Sequence, residues 1–73
     1  MAEIKIVTEV AGRVCAVPTS IGSSVMDGDD IVLVEAMKME IPVPSSSAGK
    51  IKEILVNVDD VVAEGQVVAI LDA

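Results

Sequence analysis

Lys38 lies between Met37 and Met39, with Glu35 and Glu40 just outside them, in a chain that has five lysines and arginines against twelve aspartates and glutamates. A lysine can do two kinds of chemistry. As a Schiff-base catalyst it needs burial or a neighbouring cation to free the amine of its proton, and the neighbours here are carboxylates. As an acceptor for covalent modification it needs only to be accessible, set apart from other lysines and rigidly supported, with the electrophile supplied by another enzyme. The acceptor role suits these surroundings. Other reactive groups are few. The 73 residues hold no histidine and one cysteine, Cys15, which excludes a histidine-based triad, a Cys/His dyad and the usual zinc-ligand sets. Cys15 has no basic partner to make it a nucleophile and reads as a small core or half-buried residue. Asp27, Asp29 and Asp30 lack the alternating spacing and distal Glu of a calcium loop, so a plain acidic turn is expected. With no acid/base pair, phosphate loop or metal set in view, an autonomous enzyme is the reading with least support.

The elements that must position Lys38 come from a repeat. Sliding the chain by 37 positions aligns residues 2–36 with residues 39–73 without a gap, matching Glu3/Glu40, Ile4/Ile41, Ala11/Ala48, Gly12/Gly49, Val25/Val62, Gly28/Gly65 and Ala36/Ala73. Within each half the apolar runs are short and punctuated by Gly, Asp or Ser, which reads as strands joined by turns. Strands are expected over Glu3–Val7, residues 13–17, near Val25 and over residues 31–35, and again in the second half. The expected fold is all-β: two four-stranded antiparallel sheets packed as a flattened sandwich or barrel, with a pseudo-twofold internal repeat. Gly28 and Gly65 follow acidic residues at equivalent turns that favour a positive φ. The sequence around Lys52 and Glu53 breaks alternation and suggests a bulge. Pro42 and Pro44 remove two amide donors at alternate positions, which marks an edge strand. Only Met37 and Lys38 fall between the two copies. They join the end of one to the start of the other, so a hairpin is expected with Lys38 at its tip, at the opposite end of the domain from both termini.

Composition bounds the partners. The chain is long enough for one core, and its 52% hydrophobic residues include no Phe, Tyr or Trp, so Val, Ile, Leu, Ala and Met must fill it. A formal net charge of -7 argues against binding a nucleic-acid backbone, which is held by Lys and Arg. Uninterrupted apolar runs such as Ile31-Val32-Leu33-Val34 are too short for membrane insertion. A lone cysteine and the lack of a charged-then-apolar leader before the first strand-like segment point to a reducing, cytoplasmic setting.

Glu35-Ala36-Met37-Lys38-Met39-Glu40 resembles the biotin attachment sequence of biotinyl (biotin carboxyl carrier) domains, and the Ala-Gly repeats, turn glycines and length extend that resemblance over the whole chain. The resemblance implies the biotinyl/lipoyl hammerhead fold over residues 1–73 and biotin in amide linkage on Lys38. It further implies that a biotin protein ligase attaches the biotin, with Glu35, Ala36, Met37, Met39 and Glu40 helping partners recognise the tip. The domain would then shuttle a carboxyl group between a biotin carboxylase and a carboxyltransferase of an acyl-CoA or oxo-acid carboxylase or decarboxylase, supplying none of the bond-making groups itself. The chain shows neither a long Ala/Pro-rich linker nor a protruding segment between the repeats, as some members do; it fits a small carrier subunit or an excised domain. Two alternatives stand beside this one. Lipoyl carriers share the fold and also place a lysine at the hairpin, but theirs is typically preceded by aspartate where Met37 stands here. An unmodified structural adaptor would leave Lys38 dispensable. For Met37 and Met39, packing and recognition weigh equally, because thioethers suit both core gaps and surfaces that meet several partners.

Overall fold

A computed structural model describes residues 2–73 and contains eight strands: β1 Glu3–Val7, β2 Gly12–Ala16, β3 Ser24–Val25, β4 Asp30–Ala36, β5 Met39–Pro44, β6 Gly49–Ile54, β7 Val61–Val62 and β8 Val67–Asp72. They form two four-stranded antiparallel sheets, ordered β1-β8-β6-β3 and β5-β4-β2-β7. Each sheet draws two strands from either half of the chain, so neither half can complete a sheet alone. The strand expected over residues 13–17 starts and ends one residue earlier, because Gly12 joins the ladder opposite Val62. The strand expected over residues 31–35 gains a residue at both ends, where Asp30 pairs with Pro44 and Ala36 with Met39.

The 37-residue repeat is reproduced in the ladders. The pairs Glu3↔Asp72, Ile4↔Leu71 and Ile6↔Ala69 correspond to Glu40↔Glu35, Ile41↔Val34 and Val43↔Val32. The bulge expected in β6 occurs between Ile51 and Glu53 and leaves Lys52 unpaired; its twin in β2 leaves Cys15 unpaired. Cys15 is half-buried, and its thiol donates to the Leu33 carbonyl over 3.4 Å.

The core is symmetric as well. Ile6, Val14, Val25, Ile31, Val32 and Val34 are buried, and so are their twins Val43, Ile51, Val62, Val68, Ala69 and Leu71. Alternation along each strand turns these positions inward, and β-branched side chains fill the space between pleated faces. Two buried hydroxyls, Thr8 and its twin Ser45, each bond to the backbone two residues on, at Val10 and Ser47, which satisfies them locally.

The Ala-Gly repeats reflect a close approach of strands. A Cβ at Gly12 would overlap the carbonyl oxygen of Glu35, and one at Gly49 would lie 2.8 Å from the Asp72 oxygen. The turn glycines Gly28 and Gly65 adopt φ of 91° and 83°, the left-handed region that costs an L side chain free energy. Strand β5 is an edge of its sheet. With Ala36 and Met39 closing the hairpin, residues 41 and 43 bond inward and the proline nitrogens at 42 and 44 face the open edge, which denies it donors for another strand. The acidic turn is structural: the Asp29 carboxylate accepts from the Met26 amide at 2.9 Å, and Gln66 plays the same part for Ala63 at 3.0 Å. Among the described residues no group of acidic or cysteine side chains is placed to hold a metal ion, and no helix is long and apolar enough to cross a membrane.

Candidate functional site

The hairpin joining the two copies is a two-residue loop, closed by the pair Ala36↔Met39. Met37 has φ 52° and Lys38 φ 65°. A connection with both central residues in the left-handed region is a type I′ turn, whose twist matches the flanking strands and which normally recruits Asn-Gly or Gly-Gly. A methionine and a lysine there carry backbone strain that the strands on either side must hold in place. Shortness and strain fix the backbone that bears Lys38, while its four-carbon stem stands in solvent.

The side chains around it are presented outward. Lys38, Glu35 and Glu40 are exposed, and Ala36 is half-buried. Met37 is 95% exposed and Met39 64%, so neither methionine fills the core, and packing is set aside as the reason for them. Alternation places Val34 in the core and Glu35 on the outer face, directly across from Glu40.

Two residues that sequence reasoning left out complete this surface. Arg13 of β2 stands opposite Glu35, donates to its carboxylate at 3.3 Å and also pairs with Asp59 from the turn before β7. The Glu35 and then the Asp59 hydrogen bonds hold the Arg13 guanidinium above its ordinary pKa. Asp59 has φ 81° and is the twin of Gly22, whose φ is 90°. Its amide donates to the Val14 carbonyl at 2.8 Å, as Gly22 does to Ile51 at 2.7 Å. The signal for Asp59 was present in the repeat, as a non-glycine aligned with a glycine. No comparable signal marked Arg13, whose partners come from a strand and a turn distant in sequence.

In the other sheet the place of the hairpin is taken by the chain ends, where Ala2 and Ala73 exchange backbone hydrogen bonds at 3.1 and 2.9 Å. Among the described residues no exposed lysine or methionine stands at the equivalent place, where Ala2 is the twin of Met39.

Comparison with known proteins gives this geometry a context. The family model described as "Biotin-requiring enzyme" matches residues 2–71. A biotinylated protein TB7.3 homolog of Mycobacterium leprae is 40% identical over 63 residues, covering 86% of this chain and 89% of the relative. Among solved structures, the urea carboxylase of Kluyveromyces lactis superposes with a TM-score of 0.94 at 30% identity over 99% of this chain, which spans 6% of that much longer one. The lipoyl domain of the 2-oxoglutarate dehydrogenase complex of Azotobacter vinelandii gives 0.71 at 28% identity, covering 88% of this chain and 81% of that domain. With its eight-stranded fold, its repeat and a family match over nearly its whole length, the chain belongs to the biotin/lipoyl attachment family of biotin-requiring enzymes.

Proposed function

We propose that residues 1–73 form one biotinyl carrier domain, which holds biotin in amide linkage on Lys38 and serves a biotin-dependent carboxylase or decarboxylase in the cytoplasm. The observation that carries this reading is the exposed Lys38 on a strained two-residue turn between two exposed methionines. An accessible primary amine on a fixed backbone fits an acyl group delivered by a second enzyme, a biotin protein ligase. The Lys38 nitrogen, once deprotonated, attacks the activated carboxyl carbon; the activating group leaves with its bonding pair, and an amide remains.

When attached, biotin supplies the nitrogen that accepts and releases a carboxyl group. The chain's own contribution is mechanical. The sheets fix the hairpin, the hairpin fixes the Lys38 backbone, and the lysine stem gives the arm its reach. A tethered group is presented to a biotin carboxylase and then a carboxyltransferase at a high effective concentration. Glu35, Ala36, Met37, Met39 and Glu40 form the face that partner enzymes meet. The urea carboxylase match supports a carboxylase setting, and the relative named as a biotinylated protein supports biotin as the attached group.

The test is intact mass of the protein co-expressed with a biotin protein ligase, followed by peptide mapping. One biotin, on Lys38, is expected. An unmodified chain under conditions that fully modify a known carrier would refute the reading, and modification by a lipoyl ligase alone would move the chain to the lipoyl carriers.

A further inference from the structure

The internal symmetry lets one end of the molecule serve as a control for the other. At the chain ends Glu3 faces Asp72 across β1 and β8, and Lys50 faces Asp72 from β6. Lys52, at the β6 bulge, pairs with Glu3. Glu3 thus holds an ion pair, and Asp72 faces an ammonium group across the ladder without pairing to it. At the hairpin Glu40 faces Glu35, and Arg13 faces Glu35, but the bulge position filled by Lys52 at the other end is filled here by Cys15. Arg13 is also shared with Asp59. Glu40 consequently makes no ion pair among the described residues.

Like charges directly opposite on neighbouring strands are destabilising. The chain relieves that arrangement with two cations at its ends and leaves it half-relieved beside Lys38. Arg13 immobilises Glu35 on one side of the row, while Glu40, next to the exposed Met39, remains open to a partner.

We propose that Glu40 is a docking contact for the enzyme that modifies Lys38, received by an arginine or lysine of that enzyme at the rim of an apolar recess that takes Met37 and Met39. This inference rests on the carrier reading above. The modifying enzyme is the partner indicated, because it alone must bring its reactive carbon within bonding distance of Lys38 Nζ. Later partners act at the far end of the attached arm. An unpaired carboxylate two residues from the acceptor gives that enzyme a charge to orient against, and contacts of this kind act mainly on encounter and register.

The experiment is initial-rate biotinylation by a purified biotin protein ligase at saturating ATP and biotin, with carrier concentration varied. Labelling of the wild type establishes the carrier reading independently of the docking contact. For Glu40→Gln we expect KM for the carrier to rise about fivefold with kcat unchanged, and kcat/KM to lose part of its salt dependence. Cys15→Lys, which copies the Lys52 arrangement and supplies Glu40 with an internal partner, should raise KM likewise with Glu40 intact; circular dichroism checks its fold. Glu53→Gln makes the same change in net charge on the other sheet and should leave KM alone. The docking contact is refuted if Glu40→Gln labels with a wild-type KM, or if it and Glu53→Gln shift KM equally. A wild type that the ligase does not label overturns both readings.

Discussion

The hairpin strain can be measured by substituting one residue in two ways. Lys38 has φ 65°, a conformation that costs an L residue with a Cβ roughly 1–2 kcal/mol. Lys38→Ala keeps the Cβ and so keeps the strain. It also removes an exposed side chain with little buried area, and its effect should stay within about 0.5 kcal/mol. Lys38→Gly removes the strain but gives back about 0.4–1 kcal/mol through the greater freedom of glycine in the unfolded chain. The net expectation is a stabilisation of Lys38→Gly over Lys38→Ala by about 0.5–1 kcal/mol, which for a domain of this size raises the melting midpoint by about 2–8 °C. Thermal unfolding followed by far-ultraviolet circular dichroism suits a chain with no aromatic residue. Both variants should lose biotinylation completely. If Lys38→Gly melts at or below Lys38→Ala, the turn is not strained as the dihedral angles indicate, and the argument for a fixed acceptor backbone fails.

Other perturbations report on the scaffold. Gly12→Ala should destabilise by about 1–3 kcal/mol, because the added Cβ overlaps the Glu35 carbonyl and sits 2.8 Å from Val34 Cγ1, directly beneath the hairpin. Gly49→Ala, with its nearest clash against the Asp72 oxygen at 2.8 Å, should cost less by chemical denaturation; an equal or reversed order would contradict the packing described. The Glu3–Lys52 pair predicts a pH signature. Its hydrogen bond and then its charge hold the Glu3 carboxyl below the ordinary value, and the same contacts hold the Lys52 ammonium above its own. A lowered carboxyl contributes stability above its unfolded-state pKa and loses it as pH falls through the folded value; a raised ammonium contributes below its unfolded pKa and loses it as pH rises through the folded one. The difference in melting midpoint between wild type and Glu3→Gln should therefore be present from about pH 5 to 9, close below about pH 4 and again above about pH 10, and shrink with salt. A gap that persists at pH 2 would refute the ion pair.

The offset of 37 residues fixed much of the architecture in advance, because a repeat whose halves cannot each bury an apolar face must interleave them. The repeat, read together with local pattern, set the all-β class, the pairing of β4 with β5, the edge at Pro42 and Pro44, the bulge at Lys52 and the place of Lys38 at the junction. These features follow from local chemistry: alternation, missing amide donors, and the two residues left over between the copies. The tertiary structure decided what depends on residues far apart in the chain. Packing and recognition were both open for Met37 and Met39 in the sequence, and the structure places both in solvent, Met37 in the turn and Met39 at the start of the edge strand β5. The Arg13 bridge to Glu35 and Asp59 joins residues separated by 22 and 46 positions, and sequence spacing carries no information about such pairs. Charge compensation differs between the two ends for the same reason. Whether Glu40 has a cation depends on which side chain projects from a bulge two strands away, and folding alone brings Cys15 rather than a lysine to that place.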